Sequence, residues 1–139
     1  TEMEDVYPSV PETPKDLKEA AQTGKNVVMG GLVPGYSTDA VAATAAELLD
    51  AELYIATTVD GIYTKDPKEN ADAEKFDEIS TERLRDITDG SNEPGTYSVI
   101  DEAAVRIIER SNIKTTVFEA TLKNLSNPED AENTEVIPN

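Results

Sequence analysis

The segment from residue 26 to residue 58 constrains the fold most, because it has the pattern of a strand, a loop, a helix and a second strand. Residues 26–29 and 53–58 are short apolar runs bounded by turn residues, as in buried strands. Residues 39–49 between them are rich in alanine and carry apolar side chains at helical spacing. This length suits a βαβ crossover, whose two strands run parallel. We therefore expect an α/β domain with a mainly parallel sheet.

The rest of the chain continues the alternation of helices and strands. Thr13 and Pro14 mark a helix start, since Thr can cap a helix and Pro suits its first position. Ser80 marks another helix start. The further expected helices are 14–22, 80–87, 101–111 and 122–125, and the further strands are 75–79, 114–118 and 134–137, the last as an edge strand. A flexible, glycine-containing loop is expected at 88–96.

The charge balance limits the partners that this chain can have. It carries 29 acidic and 12 basic residues, for a net charge of −17. Such a chain repels nucleic acids and anionic membranes, so we expect neither as a partner. The acids are spread along the sequence, which favours a folded protein with an acidic shell. High salt would screen the self-repulsion, so a halophilic source is one interpretation and an ordinary acidic protein is the other.

Residue types that are missing exclude several kinds of chemistry. The chain has no cysteine and no histidine, which excludes disulfides, thiolate metal sites and histidine bases. It has no apolar run of membrane-spanning length and no signal-like start, so we expect a cytoplasmic protein. The available chemistry must therefore use carboxylates, lysine and arginine, hydroxyls, backbone dipoles or a hard metal ion.

The loop between the first strand and the following helix is one candidate for ligand binding. Ligands of α/β sheets bind beyond the carboxyl ends of the strands, where this loop lies. Gly30, Gly31 and Gly35 would let the backbone approach a phosphate, and Ser37 and Thr38 would donate hydroxyls near a helix N-terminus. The alternative is a tight turn in which Ser37 or Thr38 only caps the helix. The loop has neither the G-x-G-x-x-G pattern nor a P-loop, so both interpretations stay open.

Two more features allow a functional and a purely structural interpretation. Asp39, in the first helical turn, could orient a lysine or hold Mg²⁺ beside phosphates, or it could simply complement the helix dipole. In the loop at 57–67, Tyr63 could pack beside a base and Asp66 could bind a ribose. The alternative for this loop is a hairpin-like turn at Asp60 and Gly61, with Tyr63 filling a gap.

Taken together, the two loops resemble a known family. The sequence MGGLVPGYSTDAVAATAAELLDAELYIATTVDGIYTKDPKENADAEKF closely resembles the UMP kinases, especially the archaeal type, of the amino-acid-kinase superfamily. YSVIDEAAVRIIERSNIKTTVF resembles the family's later serine-containing loop, helix and strand, and TEVIPN resembles its closing strand. The likeness runs from about Asp5 to the end of the chain.

The resemblance implies a three-layer α/β/α fold and a set of site residues. It implies transfer of the γ-phosphoryl group of ATP to UMP, with Mg²⁺, in pyrimidine nucleotide synthesis. Asp39 matches an aspartate that organises the phosphate-binding groups, and no residue matches a metal ligand. The residues that match the UMP-binding loop are Leu32, Val33, Pro34, Gly35, Tyr36, Ser37 and Thr38. The residues that match the ATP site are Thr57, Thr58, Tyr63 and Asp66.

One departure from the family concerns length. Family members are considerably longer, and their N-terminal half, with two glycine-rich loops, acceptor-site groups and dimerisation helices, has no match here. We therefore expect residues 1–139 to be the C-terminal, nucleotide-binding part of the domain, with exposed sheet edge, and to be inactive alone. The loop at 90–95 is also shorter than in relatives. The family's hexameric assembly would be a property of the longer protein.

Two alternative functions stay open. One is another phosphotransferase of the same superfamily, acting on an amino acid, carbamate or isopentenyl phosphate. The other is a non-catalytic module that binds nucleotides or takes part in an assembly.

Overall fold

Helices and strands alternate along residues 5–89 and 98–139, the part of the chain that this computed structural model describes. The helices are α1 (Pro14–Ala21), α2 (Thr38–Leu49), α3 (Thr81–Asp89), α4 (Glu102–Arg110) and α5 (Leu122–Ser126), and a short 3₁₀ turn covers Pro128–Asp130. The strands are β1 (Leu53–Thr57), β2 (Glu78–Ser80), β3 (Thr115–Glu119) and β4 (Asn133–Ile137). The expected loop at 88–96 falls largely on residues 90–97, which lie outside the described residues.

Side-chain caps explain where the helices begin. Thr13 Oγ1 accepts a hydrogen bond of 3.1 Å from the Asp16 N–H, as the sequence predicted for α1. Ser80 Oγ accepts one of 3.1 Å from the Arg83 N–H, which confirms the predicted start of α3. Each cap satisfies a backbone donor that the helix itself leaves free, and losing one costs about 0.5–2 kcal/mol. None of the helices in residues 5–89 and 98–139 is long and apolar enough to cross a membrane.

The sheet has the strand order β1-β3-β4-β2. β1 pairs with β3 and β2 pairs with β4 in parallel, whereas β3 and β4 are antiparallel. The predicted α/β fold with a mainly parallel sheet is therefore confirmed. The prediction that 134–137 forms an edge strand was wrong, because β4 lies inside the sheet between β3 and β2. Thr134 and Val136 of β4 are fully buried as a result.

The hydrophobic core lies between the sheet and the helices α2, α3 and α4. Burial alternates along β1: Leu53 and Ile55 are buried, while Tyr54 and Ala56 are exposed. α4 contributes the fully buried side chains of Val105 and Ile108. Each fully buried aliphatic side chain stabilises the fold by roughly 1.5–3 kcal/mol. The core thus holds α2 and α4 side by side.

The predicted strand at 26–29 was wrong. Its only strand-like pairing in the described residues is an isolated parallel bridge between Val6 and Asn26. Val28 is 63% exposed, which a buried strand would not allow. A strand forms only where another strand satisfies its backbone N–H and C=O groups. β1, which the crossover pattern offered as a neighbour, does not pair with this segment.

The loop that follows β1 is fixed to the sheet through Thr134. Its Oγ1 accepts a hydrogen bond of 2.9 Å from the Ile62 N–H and donates one of 2.5 Å to the Phe76 carbonyl. A Cβ atom at Gly61 would lie 2.5 Å from the same Oγ1. Gly61 is therefore required for close packing against a buried hydroxyl that cannot move without losing both hydrogen bonds.

We expect Gly61→Ala to lower the free energy of unfolding by about 1–3 kcal/mol, since the methyl group overpacks this contact. Gly30→Ala is the matched control, because a Cβ atom there meets nothing within 4 Å. The control should change stability by less than about 0.5 kcal/mol. Urea unfolding at high salt would measure both, and equal effects would contradict the packing role of Gly61.

Candidate functional site

The site lies at the edge of the sheet where β1 and β3 end. α2 ends at Leu49 and β1 begins at Leu53, and α4 ends at Arg110 and β3 begins at Thr115. Such short connections make each helix run opposite to the strand that follows it. The N-termini of α2 and α4 therefore lie at the carboxyl edge of the parallel strands, which is where α/β proteins bind ligands.

A hydrogen bond joins the two helix starts. The hydroxyl of Ser37, the cap of α2, donates to Asp101 Oδ2, although the two residues are 64 positions apart in the sequence. Ser37 Oγ also accepts a bond of 3.1 Å from the Ala40 N–H. Asp101, the cap of α4, accepts a bond of 2.9 Å from the Ala104 N–H through Oδ1. One short chain of hydrogen bonds thus links the first turns of both helices.

Asp101 is the residue of this site that the sequence analysis missed. The sequence placed it at the start of a helix, which is where an aspartate belongs for purely local reasons. No short-range signal indicated that its second carboxylate oxygen would reach across to Ser37. A contact of this kind arises from the packing of α2 against α4.

Asp39 lies beside this link, in the first turn of α2. Burial raises the pKa of its carboxyl, and the negative charge of Asp101 raises it further, while a backbone hydrogen bond at Asp101 acts in the opposite direction. Burial and the charge of Asp101 both disfavour the ionised form, so an ionised Asp39 lowers the stability of the fold. In residues 5–89 and 98–139, no three or more acidic side chains are grouped to hold a metal ion.

The loop before α2 presents apolar surface next to these polar groups. The Tyr36 N–H donates to the Val33 carbonyl at 3.2 Å, and Gly35 has a φ of 86°. Pro34 and Gly35 at its centre give the signature of a type II turn, which needs positive φ at the third residue. The turn leaves Val33 49% and Tyr36 52% exposed, and Leu32 is half-buried. Ser37 serves as the helix cap, and Thr38 is exposed at the first helical position.

The second predicted loop begins at the same edge, directly after β1. Thr57 is half-buried at the end of β1, and Thr58 is exposed beyond it. Tyr63 donates from Oη to Asp60 Oδ1 at 2.6 Å. Asp66 Oδ1 accepts a bond of 2.9 Å from the Lys68 N–H, so its side chain helps to form a turn. The carboxylate has a second oxygen, which leaves room for a ligand as well.

This loop does form a hairpin-like structure, although not at Asp60 and Gly61. Tyr63 and Lys75 form an isolated antiparallel bridge, and the Phe76 N–H donates to the Ile62 carbonyl at 2.9 Å. The Thr64 N–H donates to the Glu74 carbonyl at 2.9 Å, so the loop widens after Thr64 and returns at Glu74. Asp66 stands in the wide part, within three residues of Tyr63.

Replacing Asp39 by Asn should stabilise the fold at neutral pH. The folded-state pKa of Asp39 is raised, so the stability that depends on this group is complete below its unfolded pKa and falls as the pH rises through the folded pKa. The gain from Asp39→Asn should therefore be largest at neutral pH and should vanish in acid. Thermal unfolding as a function of pH, at high salt, would measure it.

Asp72→Asn is the control of opposite sign. A hydrogen bond from Lys65 lowers the pKa of Asp72, so its contribution is present above the unfolded pKa and is lost as the pH falls. This variant should be less stable than the original chain at neutral pH and equally stable in acid. If both variants changed stability in the same direction at neutral pH, our account of Asp39 would fail.

The link between Ser37 and Asp101 should appear as an interaction energy. We expect Ser37→Ala and Asp101→Ala each to cost about 0.5–2 kcal/mol as lost caps. The double variant should cost less than their sum by about 1 kcal/mol, since each single variant already breaks the shared bond. Thr13→Ala combined with Asp101→Ala is the control, and its costs should add to within about 0.5 kcal/mol because Thr13 caps α1. Additive costs for Ser37 and Asp101 would exclude a stabilising contact.

Comparison with known proteins agrees with this architecture. Residues 6–119 match the profile of the group described as "Amino acid kinase family". The chain is 49% identical over 117 residues to the uridylate kinase of Methanococcus maripaludis, covering 82% of this chain and 52% of that protein. It is 42% identical over 115 residues to the uridylate kinase of Sulfolobus acidocaldarius, covering 81% and 51%.

The solved structure of the uridylate kinase from Archaeoglobus fulgidus aligns with a TM-score of 0.81 at 38% identity, covering 95% of this chain and 61% of that one. The chain thus spans about half the length of the curated relatives it matches. The family match covers most of the chain and includes both loops and Asp39. The chain therefore belongs to the amino acid kinase family.

Proposed function

We propose that the protein to which this chain contributes transfers the γ-phosphoryl group of ATP to UMP. A phosphate oxygen of UMP forms a bond to the γ-phosphorus, the bond to the β–γ bridging oxygen breaks, and UDP and ADP result. The observation that carries the proposal is the junction of α2 and α4, where two helix N-termini and Asp39 meet beside the loop with Val33 and Tyr36. The similarity to uridylate kinases supports UMP as the acceptor.

The two loops divide the binding between the nucleotides in this proposal. UMP contacts the loop from Leu32 to Thr38, with Tyr36 supplying an exposed ring and the start of α2 supplying N–H donors. ATP contacts the end of β1 and the loop after it, through Thr57, Thr58, Tyr63 and Asp66. Residues 1–139 act as the C-terminal, nucleotide-binding part of a longer kinase domain.

Asp39 has an organising role in this proposal. It stands in the first turn of α2, where free N–H groups attract phosphate, and its negative charge prevents phosphate from occupying the whole helix end. The carboxylate would instead orient a cation or a cationic side chain beside the transferred group. Mg²⁺ usually takes one or two carboxylates and otherwise binds phosphate oxygens and water, and Asp39 suits such a role. Mg²⁺ would neutralise charge on the phosphates.

Because of its charge, we expect this chain alone to bind ATP and UMP weakly and not to convert them to ADP and UDP. ATP and UMP are anions, and the chain carries a net charge of −17. Lys65, in the loop of the proposed ATP site, forms an ion pair of 2.6 Å with Asp72. In this proposal the cationic groups that phosphoryl transfer requires come from Mg²⁺ and from the part of the relatives' length that this chain does not span.

Calorimetry on this chain would test the two binding sites separately. Tyr36→Ala should weaken UMP binding about tenfold, which corresponds to about 1.4 kcal/mol for an aromatic contact, and should leave ATP–Mg²⁺ binding unchanged. Tyr54→Ala is a matched control, because Tyr54 lies in β1 and packs against Phe118. The control should leave both affinities unchanged. Measurements at high and low salt would separate screening from specific contacts.

Three results would change the proposal. If the chain bound neither nucleotide, the proposal would not hold for this chain. Binding of ATP without UMP would favour a nucleotide-binding module or another phosphotransferase of the family. Robust formation of UDP by the isolated chain would overturn the view that the part of the relatives' length not spanned by this chain is required. A halophilic source, a cytoplasmic location and a hexameric assembly remain predictions.

A further inference from the structure

The backbone around Tyr63 is held on both sides by hydrogen bonds. On one side, the Ile62 N–H donates to Thr134 Oγ1 of β4 at 2.9 Å. On the other side, the Thr64 N–H donates to the Glu74 carbonyl across the hairpin at 2.9 Å. The position of the Tyr63 Cα atom is therefore fixed by the fold of the loop and does not depend on a ligand.

The side chain of Tyr63 is held at its tip as well. Its hydroxyl donates to Asp60 Oδ1 at 2.6 Å. The residue is half-buried and so keeps part of its surface open to a ligand. Because the ring is fixed at Cα and at Oη, a ligand that contacts it loses little binding energy in ordering the side chain. Tyr63 thus has the properties of a preorganised binding group.

A positive charge lies close to the Asp60 carboxylate. The stem of Lys75 packs beside Gly61, where an added Cβ atom would lie 3.1 Å from Lys75 Cδ. A hydrogen bond to Glu132 raises the pKa of Lys75, burial lowers it, and the negative charges of Glu132 and Asp60 raise it further. The charge of Lys75 therefore offsets part of the charge that Asp60 brings to this loop.

The hydrogen bond to Asp60 decides what the Tyr63 hydroxyl can offer to a ligand. A phenol has one proton to donate and lone pairs that accept, whereas an ionised carboxylate can only accept. The proton of Tyr63 is therefore directed to Asp60. Towards a ligand the same oxygen acts as an acceptor, and it needs a partner that donates an N–H or O–H group.

Purine bases differ in this property at position 6 of the ring. Adenine carries an amino group there, which donates, whereas guanine and hypoxanthine carry a carbonyl oxygen, which only accepts. An acceptor fixed opposite position 6 bonds to adenine, while the other two bases would place two acceptors face to face. A site built to make one hydrogen bond discriminates strongly against a ligand that lacks the matching group, because the polar group of the site is then left unpaired.

We propose that Asp60 is a positioning residue that makes the donor site select a purine with a 6-amino group, and that it acts through the Tyr63 hydroxyl. This inference rests on the proposed function, which places ATP against Tyr63. Asp60 fixes the ring and the direction of the phenol proton without contacting the nucleotide itself. The hairpin does not turn at Asp60 and Gly61, so a turn at this point does not account for the aspartate.

The test compares ATP with inosine triphosphate (ITP), in which a carbonyl replaces the 6-amino group. Ligand-observed NMR on this chain, with Mg²⁺ at high salt, would measure the two affinities. We expect ATP to bind at least about tenfold more tightly than ITP, as for one lost hydrogen bond. In Tyr63→Phe the ratio should fall below about twofold, mainly because ATP binds less tightly. This variant keeps the ring, so it tests the inference even if a change at Asp60 disturbs the loop.

Asp60→Ala should reduce the preference by a different route. The phenol proton is released, so the hydroxyl can donate to a 6-carbonyl group, and ITP should bind more tightly than it does to the unaltered chain. The variant with both changes should behave as Tyr63→Phe alone, since Asp60 acts only through the hydroxyl. Tyr54→Phe is the matched control, because it removes a hydroxyl from β1 and should leave the ratio unchanged. Circular dichroism would confirm that each variant folds.

The outcomes separate this inference from the proposed function. Equal affinities of the unaltered chain for ATP and ITP would overturn the inference and leave the proposed kinase activity in place. A preference for ATP that survives Tyr63→Phe would do the same. If Asp60→Ala lowered the affinities for ATP, ITP and UMP together, the hydrogen bond would serve only the stability of the loop. If no purine nucleotide bound, the assignment of ATP to this loop would be wrong, and the role of Asp60 would be lost with it.

Discussion

The parallel pairing of β1 with β3 determines where everything else lies. Two neighbouring parallel strands cannot be joined by a tight turn, so each is preceded by a helix that runs back across the sheet. α2 and α4 fill these places and pack against each other over the core. Their N-termini are therefore brought to one edge, and the contact between Ser37 and Asp101 follows from that geometry. The candidate site is a consequence of the strand pairing.

The acidic surface adds a second constraint, which acts on the whole chain. Arg85 bonds to Glu109 between α3 and α4, and Arg110 bonds to Glu47 between α4 and α2, at 2.7 and 2.8 Å. Ion pairs at the surface contribute about 0–1 kcal/mol each, which is small against the self-repulsion of a net charge of −17. We therefore expect screening by salt to raise the stability, and nucleotide binding should depend on salt for the same reason.

Sequence reasoning succeeded where the signal is local. The caps at Thr13 and Ser80 were predictable, because a cap depends on residues within one turn of itself. The position of β1 was predictable to within one residue, since its apolar run stands between clear turn signals. The family was recognised from the two loops together, and the match to its profile confirms this. The assignments of single residues to UMP and ATP stay predictions.

The features that the sequence did not predict share one physical cause. Each depends on a contact between residues far apart in the sequence. Residues 26–29 have the composition of a buried strand, but composition cannot supply the neighbour that would satisfy the backbone. β4 was expected to be an edge strand, yet β2 pairs with its outer side. Asp101 had a sufficient local explanation as a cap, and its contact with Ser37 depends on the packing of two helices.

The unpaired strand segment connects the fold to the site. Residues 26–29 lead directly into Gly30, Gly31 and the loop that carries Tyr36, so the position of that loop depends on what holds the segment. Gly30, Gly31 and Tyr36 themselves line the open cleft. Because nucleotide binding to this loop would have to fix the segment 26–29 as well, we expect that ordering to lower the affinity of the chain for nucleotides.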